Sequence, residues 1–253
     1  MQSIISEKST LDTMIKGELI FEGNEKQVFA TDNPDQVIFR YKDVAVAYNN
    51  VKRARFKGKG ALDNQISAIL LDYLNRNGVE THYISTLGDT EQLCRKIEII
   101  PLQVVVHNRI AGSLAARLGV EEGFRHPNTI VDLRYNNDEL DDPFINRDHA
   151  VALGLASYQD LDLMYNRARR VNDLLGPLFL KAGIELVDMK LEFGRASDTG
   201  AIIISDEISP DTCRLWDSET GDRLDKDRFR LDLSRVVESY RIVLDRLNQI
   251  KES

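Results

Sequence analysis

The stretch LVDMKLEFGR, residues 186–195, reads as a strand with two unlike faces. Side chains alternate along an extended chain, so Asp188, Lys190 and Glu192 share one face while Val187, Met189, Leu191 and Phe193 share the other. An edge strand with one wet face would show the same alternation. The residues that follow argue for more. After Gly194, the polar stretch 195–200 (RASDTG) has turn chemistry, and the apolar run 201–204 in AIIISDEISPDTCRLWD (201–217) reads as a returning strand. Such a hairpin brings Asp206 and Glu207 toward Glu192. Acids converging beside a lysine suit a divalent cation held against phosphate, because hard cations take carboxylate oxygens and an ammonium offsets the anionic ligand.

The 253-residue chain, 42% hydrophobic and 29% charged, can bury its own core as one large domain or two modest ones. Its net charge of −8 argues against a nucleic-acid backbone as the main partner and leaves small phosphorylated ligands open. The basic stretch 51–60 (VKRARFKGKG) could still receive a small anion. Cys94 and Cys213 lie far apart and lack metal-type spacing, which excludes a disulfide framework or thiolate zinc site and fits a reducing cytoplasm. The N-terminal stretch 1–18 lacks a signal-peptide core and no run is long enough to span a bilayer, so the expectation is a soluble cytoplasmic protein without a membrane partner.

Three β-type runs within residues 18–48 predict an antiparallel meander, and 60–78 predicts a helix closed by Gly78. Strands at 81–85 and 92–100 complete a mostly antiparallel first lobe, residues 1–101. The second lobe, 102–253, opens with LQVVVHNRIAGSLAARLG (102–119), a strand running into a helix that starts at Gly112 and Ser113. A helix start collects anions, and Gly-Ser there is also ordinary capping. An amphipathic helix over 157–182, the charged hairpin and a closing helix over 226–250 follow. In FEGNEKQVF (21–29), Gly23 at a tight turn and Lys26 on the return strand are similar to a lid over phosphates, although a plain hairpin needs no ligand.

Five ordered stretches carry a resemblance: GDTEQL (88–93), NRIAGSLAARLGVEEG (108–123), LVDMKLEFG (186–194), SDEISPDTCRLWD (205–217) and DKDRFR (225–230). Together they resemble the SAICAR synthetase family over 18–247. The resemblance implies a two-lobed α+β fold, with an N-terminal antiparallel β-sheet lobe similar to a kinase small lobe, a larger α+β lobe, and ATP in the cleft. It implies an ATP-dependent ligase of de novo purine biosynthesis that condenses carboxyaminoimidazole ribonucleotide with L-aspartate through an acyl phosphate. ATP and Mg2+ are the cofactors so implied, small molecules the partners, and homo-oligomers are common in the family.

Carried over by motif, Glu192 and Asp206 face magnesium, and Lys190 stands by the transferring phosphate. Gly23 and Lys26 belong to the lid over ATP, and Asp188 faces the substrate carboxylate and its metal. Ser113, Arg214 and Arg230 resemble ribonucleotide contacts, as do positions Gln103 and His107. Asp211 either shapes the turn at Pro210 or binds directly.

Departures from the family pattern bear on the substrate. The lid motif Gly-Lys-x-Lys stands here as GNEK, with Asn24 and Glu25, and a polar segment stands as KDVAVA, with Val44 and Val46. Gln103 replaces a glutamate and His107 an arginine. Histidine lacks the permanent charge and planar fork of arginine. Two further readings follow: a paralogue acting on a related carboxylated heterocyclic ribonucleotide, such as a pyrazole, or a nucleotide-binding regulator without turnover. Protein-kinase activity is discounted because no H-R-D pattern is present.

Overall fold

In the computed structural model the described residues are 16–47 and 51–251. The stretch 1–15, read above for a leader, and Tyr48, the end of the third β-type run, lie outside them. Strands β1 (Lys16–Glu22), β2 (Lys26–Thr31) and β3 (Gln36–Tyr41) form the expected meander. The third run does not join it: β4 (Val44–Ala47) pairs instead with β5 (Lys52–Arg55) in a separate two-stranded ribbon. Helix α1 (Lys59–Arg76) then leads to β6 (Tyr83–Gly88) and β7 (Glu91–Arg95), which complete a sheet ordered β1-β2-β3-β7-β6. Gly78, at φ +78°, ends the helix as its position predicts.

The remainder comprises β8 (Ile97–His107), α2 (Gly112–Leu118), β9 (Ile130–Tyr135), β10 (Phe144–Ile145), α3 (Arg147–Ala152), α4 (Tyr158–Lys181), β11 (Ile184–Ala196), β12 (Ile202–Ser205), β13 (Cys213–Asp217), α5 (Asp227–Arg230) and α6 (Val236–Lys251). These strands form a second sheet ordered β10-β9-β8-β11-β12, with β13 also on β11. Helix α4 begins at Ser157, whose hydroxyl and the Asp160 carboxylate cap each other's amides. Its Leu161, Met164, Ala168, Val171 and Leu175, at three- and four-residue spacing, bury one face.

Two predicted boundaries move. The apolar stretch 92–107 breaks at Lys96, and β8 runs straight through Pro101. Opposite Glu192 and Phe193 of β11 the pairing jumps from Gln103 to Ile100, so Pro101 sits in a bulge where the missing N–H is not required. Its carbonyl still accepts from the Asn136 amide at 3.0 Å. The predicted closing helix is split into α5 and α6, and Asp232 and Arg235 between them take φ of +56° and +68°. Lys52 holds the split by donating to the Phe229 carbonyl at 2.5 Å and to the Asp232 carboxylate at 2.6 Å.

The apolar face of β11 enters a core shared by helices α1, α4 and α6. Met189, Leu191 and Phe193 pack with Leu70, Leu74, Phe179 and Tyr240 in one continuous buried cluster. Each such side chain stabilises the fold by about 1.5–3 kcal/mol. The opposite face of the strand is therefore fixed in place by its own back. Among the described residues, no helix is long and apolar enough to cross a membrane.

Candidate active site

Strand register arranges the charged face of β11 as a grid. Glu192 lies opposite Gln103 of β8, which lies opposite Arg134 of β9. Lys190 lines up with Val105 and Asp132, and Asp188 with His107 and Ile130. On the other edge, Ser205 of β12 pairs with Glu192, and Arg214 of β13 with Asp188. A cleft of about 1690 Å³ opens over this grid. All eleven side chains and glycines named from the sequence line it: Gly23, Lys26, Gln103, His107, Ser113, Asp188, Lys190, Glu192, Asp206, Arg214 and Arg230.

At one end, carboxylates and ammoniums alternate. Asp206 has φ +61°, an uncommon conformation for a non-glycine residue, where the chain leaves β12. The Lys26 ammonium reaches across from β2 to hydrogen-bond Asp206 and, at 2.9 Å, the Glu207 carboxylate. Lys190 Nζ lies 2.7 Å from Glu192 Oε1. Burial would lower the pKa of both lysines, but Asp206 with Glu207 raises Lys26 well above its usual range, and Glu192 with Asp206 raises Lys190. Burial likewise works against the charge on Asp206, and Lys26 and Lys190 outweigh it, holding the carboxyl below its usual range. Asp206 is therefore ionised, and both carboxylates already face ammoniums. Their hard oxygen donors on paired strands fit a divalent ion.

Glu207, expected to approach Glu192, turns instead toward Lys26 and the Ser209 hydroxyl, 2.6 Å away. Its carboxylate groups with those of Glu25 and Asp211 within 4.8 Å. Three ammoniums already engage that cluster: Lys26 on Glu207, Lys59 on Asp211, and Lys226 on Glu25 at 2.6 Å. Tyr240 also donates to Asp211 at 2.5 Å, and Lys59 to Asp63 at 2.7 Å. Asp211 is thus held by structural partners, with Lys59 only 1% exposed beside it. This network escapes sequence reading because its members come from separate segments with no shared spacing. It also absorbs part of the basic stretch 51–60.

At the other end, Arg214 donates from Nη1 to Asp188 at 2.6 Å and from Nε to Asp227 at 2.8 Å. Arg230 donates to the second Asp227 oxygen at 2.6 Å. Against burial, which would raise it, Arg214 and His107 hold the Asp188 carboxyl below its usual range. Gly112, at φ +56°, lies under the same guanidinium, and a Cβ there would come within 2.3 Å of it. The glycine amide donates to Glu122 at 2.8 Å. Ser113 Oγ accepts from Arg134 at 3.0 Å.

Gln103 and His107, two of the positions read above as departures, lie in the same wall. His107 is buried between Asp132 and Asp188, with a ring nitrogen 3.5 Å from each. Burial favours the neutral ring, yet the two carboxylates win and its pKa is raised. Gln103 donates to Asn136 at 2.9 Å and toward Asp142 at 3.4 Å. Arg134, on the same face, has no motif around it in sequence and is recognised only from its strand register.

A hairpin whose lysine reaches two carboxylates, above a sheet face that ends in arginines, defines an enzyme of the two-lobed α+β class built to handle anionic small molecules. Comparison makes this specific. The SAICAR synthetase family model matches residues 19–247. A phosphoribosylaminoimidazole-succinocarboxamide synthase of Dichelobacter nodosus is 51% identical over 238 residues, covering 94% of this chain and 99% of its own. The crystal structure of the synthase of that name from Ehrlichia chaffeensis superposes with a TM-score of 0.89 at 44% identity, covering 91% of this chain and 98% of its own. A SAICAR synthetase solved in complex with ADP superposes at 0.87 and 44% identity, over 91% of this chain and 97% of its own. The chain belongs to the SAICAR synthetase family.

Proposed function

We infer that this chain is an ATP-dependent carbon–nitrogen ligase that joins carboxyaminoimidazole ribonucleotide to L-aspartate, releasing SAICAR, ADP and phosphate in purine biosynthesis. The observation that carries the reading is the alternating set Lys26, Asp206, Lys190 and Glu192, hydrogen-bonded in one cleft. A carboxylate is a poor electrophile at neutral pH. Phosphorylation converts one oxygen into a leaving group that the aspartate amine can displace.

The proposed lid lobe, 1–101, and larger lobe, 102–253, meet inside β8, with ATP between them. Gly23 lets the lid turn approach the nucleotide, and Lys26 and Lys190 neutralise phosphate charge as the phosphoryl group moves. Glu192 and Asp206 would hold magnesium, which when bound supplies further neutralisation of that charge. Asp188, kept ionised by Arg214, orients the substrate carboxylate end, and Ser113, Arg214 and Arg230 contact the ribonucleotide. Both cysteines are free and buried, which suits a reducing cytoplasm. The net charge of −8 supports small-molecule partners over nucleic acid.

One observation favours a second substrate reading. His107 and Gln103 are hydrogen-bonded or charge-balanced by protein groups, so this wall differs from one carrying arginine and glutamate, and a carboxylated pyrazole ribonucleotide is the alternative. A coupled ADP-release assay with Mg2+, ATP and L-aspartate, run on both ribonucleotides with mass detection of the amide, decides between them. Equimolar ADP and SAICAR from the imidazole supports the first reading. No ADP release with the imidazole removes it.

A further inference from the structure

Arg134 projects from β9 into the cleft, between Gln103 on one side and Phe144 of β10 on the other. It is partly buried, and among the described residues it forms no ion pair. Its printed hydrogen bond goes to a neutral acceptor, Ser113 Oγ, at 3.0 Å, while its Nε is buried without a partner. The guanidinium lies over the Phe144 ring at 4.0 Å from the centroid, which fixes its plane.

The nearest acids are committed elsewhere. Asp132 takes Arg117 at 2.9 Å and lies 3.5 Å from His107, and Asp142 takes the Asn137 amide at 2.8 Å and faces Gln103 at 3.4 Å. Burial lowers the pKa of Arg134, against the attraction of Asp142 and Asp132 and with the repulsion of Arg214 and Arg117. A half-buried cation with no carboxylate in hydrogen-bond contact, beside other cations and a hydroxyl, is stabilised by an anion from outside. Arginine's planar fork suits the two oxygens of a phosphate.

We propose that Arg134, with Ser113, holds the 5′-phosphate of the ribonucleotide and supplies the permanent cation that His107 does not. The two ring nitrogens of the histidine face Asp132 and Asp188, each 3.5 Å away, so neither is turned to a ligand. Arg134 stands two strands, about 10 Å, from Glu192. A ribonucleotide carries its phosphate and its base carboxylate at opposite ends, so one molecule can reach both. The proposal deepens the ribonucleotide reading given above and rests on it, but its test does not need turnover.

The test is calorimetric titration of ribose 5-phosphate into the full-length protein and into Arg134→Met and Arg134→Lys, with ribose as the control. The wild type is expected to bind ribose 5-phosphate, with Arg134→Met weaker by about tenfold or more and Arg134→Lys between them, since Arg134→Met removes a charge-assisted hydrogen bond. Ribose should not distinguish the three. In turnover, Arg134→Met should raise KM for the ribonucleotide by a similar factor and leave KM for ATP within about twofold. Equal affinity of wild type and Arg134→Met for ribose 5-phosphate, or no binding by the wild type, overturns the proposal. If Arg134→Met fails to fold by thermal melting, wild-type affinity in Arg134→Lys overturns it instead. Failure to turn over the imidazole ribonucleotide, with the calorimetric pattern intact, refutes the substrate and leaves the phosphate contact standing.

Discussion

The carboxylate of Glu25 and the ammonium of Lys226 meet at 2.6 Å across 201 residues of sequence, tying the lid turn to the start of α5. The same Glu25 oxygen accepts the Val46 amide at 2.9 Å. The lid is therefore anchored from two sides by a residue that departs from a lysine-rich motif. Glu25→Ala should leave Lys226 facing only Asp211, 3.8 Å away. Removing one partner of a largely buried pair costs about 3–5 kcal/mol when fully buried, and the 20% exposure of Glu25 brings the expected loss to about 2–3 kcal/mol. Urea unfolding measures it, and faster cleavage by a protease within 20–27 would report the loosened lid. An unchanged midpoint and cleavage rate would show that the anchor contributes nothing.

Lys190→Ala and Asp206→Asn should each reduce ADP release by at least about a thousandfold while the circular dichroism spectrum and melting transition survive, because both act on charge that develops during phosphoryl transfer. Asp206→Asn has a second expected effect. It removes the main partner of Lys26, so the lysine should become more reactive toward acylating reagents, which mass spectrometry of the modified peptide can read. Near-wild-type rates in either variant contradict the assigned phosphate site.

The site was readable from sequence where it depends on strand periodicity. Asp188, Lys190 and Glu192 alternate with a buried apolar set, and the returning strand delivers Asp206, so local spacing alone places four of its charges. Ser157 and Asp160 likewise announce α4 by their own chemistry. What could not be read depends on distant partners. Pro101 is accommodated by a bulge that exists only in the β8–β11 pairing, and the break before α6 is held by Lys52, which lies far back in the chain. Glu25, Lys59, Asp211, Lys226 and Tyr240 form one network from separate segments, and none of their local contexts differs from an ordinary surface charge or core tyrosine. Arg134 becomes visible only once β9 is aligned to β8.

His107 supplies a prediction in pH. Its folded pKa is raised above the ordinary 6.5 because Asp132 and Asp188 outweigh its burial. A raised pKa means the folded state binds the proton more tightly, so the associated stability is fully present below pH 6.5 and is lost as pH rises through the folded value. The stability difference between wild type and His107→Gln, from urea curves at a series of pH values, should therefore favour wild type most near pH 6 and shrink on the alkaline side. A difference that grows with pH would mean the ring is neutral. In turnover, His107→Arg should raise the rate on carboxyaminoimidazole ribonucleotide if the wall has been retuned for another base, and an unchanged or lower rate argues that it has not.

Lys59 tests whether the buried network is a set of pairs or a unit. Its ammonium is 1% exposed and engages Asp63 and Asp211, while Tyr240 occupies the other Asp211 oxygen. Lys59→Met leaves Asp63 without its cation and Asp211 with only Lys226, 3.8 Å away, and should cost about 3–5 kcal/mol. Asp211→Asn removes one of those charges and still accepts from Tyr240, so it should cost less. If the groups act together, the double variant loses less than the sum of the singles, with a coupling energy of about 1–3 kcal/mol from the double-mutant cycle. Simple additivity would mean that Asp63 alone balances Lys59. In that case α1 is not tied to the 206–212 loop through Asp211, and the orientation of the neighbouring Glu207 must come from Lys26 and Ser209.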